Sequence, residues 1–232
     1  MKGKLKRLAS QLPPSWQQEL KRHYFSRQIR TNSFQSGEPE YDLLPSTVSA
    51  GDWVLDIGAN VGHYTMRLSE LVGANGRVIS FEPVPETFEL LARHAAMAPC
   101  NNISLINAAA SASVGLSGMT VPKSEATKLS NYYRARLSAD RQESDFQVLC
   151  LPVDSLGLLH GISLVKIDAE GHELSVLHGM KMLLERDHPM LIVEGNNPKV
   201  VAVLEKHGYS SEKLQGSCNR LFRSRSAAAD LA

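Results

Sequence analysis

The sequence lacks any run of about 18 apolar residues, the length a helix needs to cross a bilayer, so no membrane span is expected. Its three cysteines, Cys100, Cys150 and Cys218, stand apart and form no CxxC pair. That excludes a disulfide framework and a structural zinc site, and it suits a reducing compartment such as the cytoplasm. All three are read as small buried hydrophobes. The start is basic, but no apolar core follows before Pro13-Pro14, so no signal peptide is expected. There is no internal repeat. The one biased tract is the Ala-rich tail at 226–232, which is expected to be disordered.

What is present fits one globular domain with an N-terminal appendage: 232 residues, 43% of them hydrophobic. The net charge of +1 is unevenly spread. Residues 1–30 hold eight Lys/Arg (2, 4, 6, 7, 21, 22, 27, 30) against Glu19, a net +7, which leaves −6 for the remainder. This basic arm reads either as a solvated helix face or as a contact for phosphate-rich partners or an anionic membrane surface. Leu5, Leu8, Leu12 and Trp16 form an apolar stripe, interrupted by Pro13-Pro14.

Residues 1–48 read as a helical N-terminal extension, with helix starts at Ser15-Trp16 and at Glu38-Pro39. From residue 53, strand and helix alternate. Strands are expected at 53–57, 77–82, 103–107, 147–151, 163–167 and 190–194. Helices are expected at 62–72, 85–97, 172–185 and 197–207. A short strand near 117–121 leads into a loop or lid, and 209–223 reads as a terminal hairpin. Repeated βα units with apolar strands imply a Rossmann-like α/β fold over 49–225. Its sheet would be mostly parallel, with helices on both faces and a C-terminal antiparallel hairpin.

The richest stretch is Trp53-Val54-Leu55-Asp56-Ile57-Gly58-Ala59-Asn60-Val61-Gly62: a buried strand, a glycine turn and a helix start. In an α/β sheet a nucleotide-like cofactor sits there. The spacing of Gly58, Asn60 and Gly62 differs from the G-x-G-x-x-G that cradles a pyrophosphate, and Asp56 would repel one. An acid in that place suits a ligand with a positive group, such as the ammonium of a methionine moiety. Gly58 lets the backbone pass close to the ligand. Glu82 ends the second strand, where an acid accepts hydrogen bonds from ribose hydroxyls. Asn107 ends the third, where Asn107-Ala108-Ala109 either borders an adenine or merely turns.

Val54-Leu55-Asp56-Ile57-Gly58-Ala59-Asn60-Val61-Gly62-His63-Tyr64-Thr65 with Phe81-Glu82-Pro83 resembles the class I S-adenosylmethionine-dependent methyltransferases. A second block narrows the likeness: Val165-Lys166-Ile167-Asp168-Ala169-Glu170-Gly171-His172-Glu173, then Val176-Leu177-His178-Gly179 and Pro189-Met190-Leu191-Ile192-Val193-Glu194. With Asp154-Ser155-Leu156 upstream, it resembles the FkbM-type methyltransferases over roughly residues 38–195. The resemblance implies methyl transfer from S-adenosylmethionine to a hydroxyl of a sugar, glycolipid or natural-product scaffold. It does not specify the acceptor.

Lys166 and Asp168 lie on one side of their strand, and a lysine there holds the carboxylate ionised. The candidate bases are Asp168 and His172, with Glu194 third. Glu170 and His172 read equally as turn and cap residues, and Glu173 as a first-turn acid. No metal is assigned. Asp168 with Glu194, Asn196 or Asn197 would offer oxygens suited to Mg²⁺, although Asn197-Pro198 also reads as a plain helix start. Lys128-Leu129-Ser130-Asn131-Tyr132-Tyr133-Arg134-Ala135-Arg136 is a candidate acceptor loop or a surface loop. Two competing functions are an RNA methyltransferase and a catalytically silent cofactor-binding domain. Nucleic acid is disfavoured because there is no Asp-Pro-Pro-Tyr-type motif and no lysine closing the fifth strand.

Overall fold

The computed structural model describes residues 12–31, 33–123, 130–138 and 144–225. The basic residues before Leu12, the tail at 226–232 and part of the expected acceptor loop lie outside them. Pro14 opens α1 (Pro14–Arg30) and Pro39 opens α2 (Pro39–Thr47). At a first helical position the missing N–H removes no hydrogen bond. Then come β1 (Trp53–Ile57), α3 (His63–Val72), β2 (Arg77–Phe81), α4 (Pro85–Ala95) and β3 (Ile103–Ile106). Short strands β4 (Ala109–Ala110), β5 (Gly115–Thr120), β6 (Arg136–Ser138) and β7 (Phe146–Leu151) follow. The chain continues through β8 (Ile162–Ile167), α5 (Glu173–His178), α6 (Lys181–Asp187), β9 (Met190–Glu194) and α7 (Pro198–Lys206). It ends in the hairpin β10 (Tyr209–Lys213) and β11 (Asn219–Ser224).

The main sheet runs β10-β11-β9-β8-β1-β2-β3. All its pairs are parallel except those of β11, which is antiparallel to both neighbours. The chain steps outward from β1 to β3, then returns to β8 on the other side of β1. That reversal opens a crevice at the carboxyl ends of β1 and β8.

Period-two alternation gives each central strand two buried faces. Leu55, Ile57, Val165 and Ile167 pack with Val176, Leu177, Leu184 and Leu204 of α5–α7. Val54, Leu164 and Ile192 pack with Tyr64, Leu68 and Val72 of α3 and with Tyr41 and Leu44 of α2. Leu44 is wholly buried, so the described end of the N-terminal extension shares the domain's core. Asp56, Lys166, Asp168 and Glu194 continue the α3-facing rows past their apolar neighbours, and alternation therefore gathers them.

Three expectations need correction. The helix expected over 172–185 is two helices, broken at Gly179. A Cβ there would lie 1.9 Å from the Ser111 carbonyl oxygen, and the chain turns to let that backbone pass. Asp154 then caps the second helix, accepting from the amides of Met182 and Leu183 at 3.0 and 3.1 Å. The stretch after β3 builds a second sheet, ordered β4-β7-β5-β6, rather than only a strand and a lid. Its inner face packs Met119, Val148 and Cys150 against Val84 and Ala109. Of the cysteines, only Cys150 is a buried hydrophobe; Cys100 is half-buried and Cys218 is exposed in the hairpin turn.

Candidate active site

A solvent-open cleft with about 980 Å³ of empty space lies over the carboxyl ends of β1, β2 and β8. Its floor is the glycine turn. Gly58 has φ +77°, and a Cβ on it would lie 1.8 Å from the Asp168 carbonyl oxygen. Only glycine lets β1 turn against β8 this closely. The amides of Gly58 and Ala59 donate to the Phe81 carbonyl at 3.0 and 2.9 Å. Asn60 is left-handed, with φ +51°. Gly62, with φ +94°, starts α3, and a Cβ on it would meet the Leu91 side chain at 2.7 Å.

Glu82 is buried and organises this turn. Its carboxylate accepts from the Asn60 amide at 2.7 Å, the Val84 amide at 2.9 Å and the Thr87 hydroxyl at 2.7 Å. Two carboxylate oxygens offer about four acceptor positions, so one is left for a ligand. Burial pushes its carboxyl up, against those hydrogen bonds. Asn107 is exposed and does not line the cleft. Its Nδ2 donates to the Glu82 carbonyl at 2.8 Å, bracing the strand end from outside.

Asp56 is wholly buried and also does not line the cleft. Its Oδ2 accepts from the Thr65 hydroxyl at 2.6 Å, while Oδ1 is buried without a partner among the described residues. It pairs in register with Lys166 across β1 and β8. Burial pushes the Asp56 carboxyl up, opposed by the Lys166 charge and the Thr65 bond. Lys166 is 4% exposed. Its Nζ lies 3.0 Å from Asp168 Oδ2 and 4.7 Å above the Tyr64 ring. Burial alone would lower the ammonium, but the carboxylates of Asp168 and Asp56 override it and raise it. One buried cation thus serves two acids.

Asp168, Glu170 and Glu194 bring carboxylate oxygens within 4.8 Å of one another. Burial would raise Asp168, yet Lys166 and a hydrogen bond from Glu194 carry it below the usual carboxylate range. Burial and the Asp168 charge push Glu194 up to about 8. The two directions diverge: the Lys166 charge favours ionised Asp168, and the Asp168 charge favours protonated Glu194. Asn196 and Asn197 are engaged elsewhere: Asn196 Oδ1 accepts from Arg220 at 2.9 Å and Asn197 Oδ1 from the Lys199 amide at 3.0 Å. Lys166 supplies a cation to this cluster through Asp168.

Glu170 and Gly171 are consecutive left-handed residues, with φ +48° and +95°. Glu173, buried, accepts from the Gly171 amide at 2.8 Å and secures this turn. His172 lines the cleft at the N-cap of α5, its Nε2 3.0 Å from the Ser111 hydroxyl. Burial lowers its pKa, so the ring is neutral near pH 7.

The opposite wall comes from Met119 and Leu137 of the second sheet and from Tyr132, Tyr133 and Ala135 in the turn before β6. Four lining residues carried no role in the sequence reading: Ser36, Glu38, His63 and Tyr64. The Tyr64 hydroxyl donates to Glu38 at 2.8 Å, and His63 stacks on Phe34 at 4.1 Å. Burial lowers the His63 pKa to about 4. His63 and Tyr64 directly follow Gly62, so the helix start itself was the available signal.

Residues 56–211 match the family model for the methyltransferase FkbM domain. The chain belongs to that family. A hexuronic acid methyltransferase, AglP of Haloferax volcanii, is 29% identical over 187 residues, covering 78% of this chain and 71% of that protein. The methyltransferase FkbM from Methylobacillus flagellatus superposes with TM-score 0.54 at 16% identity, over 80% of this chain. This chain spans half the length of that one. Fibrillarin of Aeropyrum pernix, solved with natively bound S-adenosyl-L-methionine, gives TM-score 0.50 at 14% identity, over 76% of this chain and 68% of that one. These two likenesses show the class I methyltransferase fold.

An FkbM domain uses S-adenosylmethionine, and the cleft fits it. Among the described residues Asn60 lines the cleft with its Oδ1 buried and unpartnered, and Asp56 Oδ1 is a second unspent acceptor behind the same turn. Such acceptors suit the ammonium and hydroxyl donors that this cofactor carries.

Proposed function

We propose that this FkbM domain methylates a hydroxyl of a sugar acceptor, with a hexuronic acid as the leading candidate. The observation that carries this reading is Asp168 at the cleft, with the Lys166 ammonium 3.0 Å away and the Glu194 carboxyl beside it. An alcohol needs a nearby base to lose its proton as its oxygen takes a methyl group. Asp168 accepts that proton, Lys166 keeps it ionised beforehand, and Glu194 orients it. His172 is the second candidate, although its Nε2 is already engaged by Ser111.

Bound S-adenosylmethionine supplies the methyl group. Asn60 and Glu82 hold it, with Gly58 and Gly62 shaping the turn and Asp56 acting from behind. The similarity to a hexuronic acid methyltransferase supports a uronate acceptor. Arg134 is exposed beside the cleft-lining tyrosines, and its charge reaches Glu170. Among the described residues it is a cation placed to meet a uronate carboxylate. Asp168 already has Lys166 as its cation at 3.0 Å, and its role as base is read without a metal.

The test is transfer of labelled methyl to glucuronate- and galacturonate-bearing oligosaccharides, beside neutral sugars and RNA. Label on the uronate sugars, unaffected by chelator, is expected. Label on RNA alone would replace this reading with the nucleic-acid one. Activity lost to chelator and restored by Mg²⁺ would refute the metal-free base.

A further inference from the structure

We infer that the outer face of α1 docks on a bilayer surface bearing anionic headgroups. Leu12, Trp16, Leu20 and Tyr24 follow one another at four-residue steps, and Trp16, Leu20 and Tyr24 are 66%, 47% and 57% exposed. The 3.6-residue turn brings the exposed His23, Arg27 and Arg30 to the same face. The opposite face is already used. Phe25 packs edge-on against Phe34 and His94, Gln18 donates to the Glu86 carbonyl at 3.0 Å, and Arg22 pairs with Glu89. The helix therefore has apolar residues on two sides, and among the described residues the domain covers only one of them.

Charge selects the occupant. Residues 1–30 carry a net +7 while the rest of the chain carries −6. The N-terminal stretch thus carries the charge that an anionic surface attracts. Tryptophan and tyrosine among arginines and leucines is the composition that settles at the headgroup boundary. A second copy would bring the same positive face against itself. RNA would give Leu12 and Leu20 nothing to stack on.

The ridge adjoins the cleft. Lys21 Nζ lies 4.9 Å over the Tyr132 ring, and Tyr24 is close enough to Tyr133 to perturb its hydroxyl. Both tyrosines line the cleft. Docking would thus turn the acceptor wall towards the membrane and admit a membrane-anchored glycan. That consequence rests on the acceptor reading above, whereas the docking does not.

The test is flotation of the full chain with phosphatidylcholine vesicles, with and without about 30 mol% phosphatidylglycerol. Binding to the anionic vesicles alone is expected, with loss as salt rises from about 0.1 to 0.5 M. Trp16→Ala with Leu20→Ala should weaken it about tenfold or more, with cofactor affinity unchanged. Trp16→Phe should keep flotation but lose the vesicle-induced blue shift of tryptophan emission. No flotation of the wild type, or flotation indifferent to the Trp16/Leu20 pair, would overturn the inference. So would a dimer that the same pair dissolves, or RNA outcompeting the vesicles. A failed methyl-transfer screen with intact vesicle binding would remove only the acceptor reading.

Discussion

Gly58→Ala tests the closest backbone approach in the cleft. Two costs add. Gly58 has φ +77°, and a left-handed backbone costs an L-residue about 1–2 kcal/mol. The new Cβ would also stand 1.8 Å from the Asp168 carbonyl oxygen and 2.8 Å from its carbon. Backbone cannot swing aside as a side-chain tip can, and the Asp168 amide is itself tied to the Ile57 carbonyl at 3.0 Å. Forcing atoms into so tight a place costs about 1–3 kcal/mol more. Gly51→Ala separates the two costs, because Gly51 has φ +93° and a Cβ added there would meet nothing within 4 Å. It should lose only the backbone part, about 1–2 kcal/mol. For a chain of this size that is about 2–8 °C in Tm, against about 4–20 °C for Gly58→Ala. Urea and thermal denaturation of both variants, with calorimetry against S-adenosylmethionine, would measure it. Gly58→Ala should also weaken the cofactor, since relieving the clash moves Asp168 from the turn. Equal stability of the two variants, with unchanged cofactor affinity for Gly58→Ala, would refute the reasoning.

Lys166→Met should cost about 3–5 kcal/mol by leaving Asp56 and Asp168 buried without their cation; chemical denaturation at pH 7 reads this, and a loss under about 1 kcal/mol would contradict it. Asp168→Asn should keep cofactor affinity by calorimetry and lose about 10²–10⁴-fold in turnover. Retained turnover would pass the base to His172. Glu194 holds its proton in the fold up to about 8, against an ordinary value of 4.5. The folded state then binds more protons between those values, so this group's stabilisation falls as pH rises through that window. Asp168, being depressed, contributes stability above its ordinary 3.8 that is lost only in stronger acid. Glu194→Gln should flatten the pH 5–8 slope of the urea midpoint; an unchanged slope would assign the proton elsewhere.

Much of the fold was legible because its signals are local. Apolar runs at 53–57, 163–167 and 190–194 could only be strands buried on both faces. The terminal acids Asp56, Glu82, Asp168 and Glu194 followed from where those runs end. The helix break at Gly179 was not legible, because it is set by the Ser111 backbone approaching from a distant loop. The second sheet was missed for a similar reason: Leu116 and Leu149 on its outer face are exposed, and its strands are short. Its partners, Ala109 with Cys150 and Gly115 with the same residue, are set by tertiary pairing.

The sequence by itself determined the parallel α/β fold, the glycine turn and the family, since each rests on residue types at fixed spacing along one segment. Tertiary structure decided how the acids divide the work. Asp56 and Asp168 share one buried lysine, Asn107 braces a strand from outside the cleft, and the Asp168 charge pushes Glu194 up. Those outcomes depend on burial and on charges brought from β1, β8 and β9, which no single segment contains.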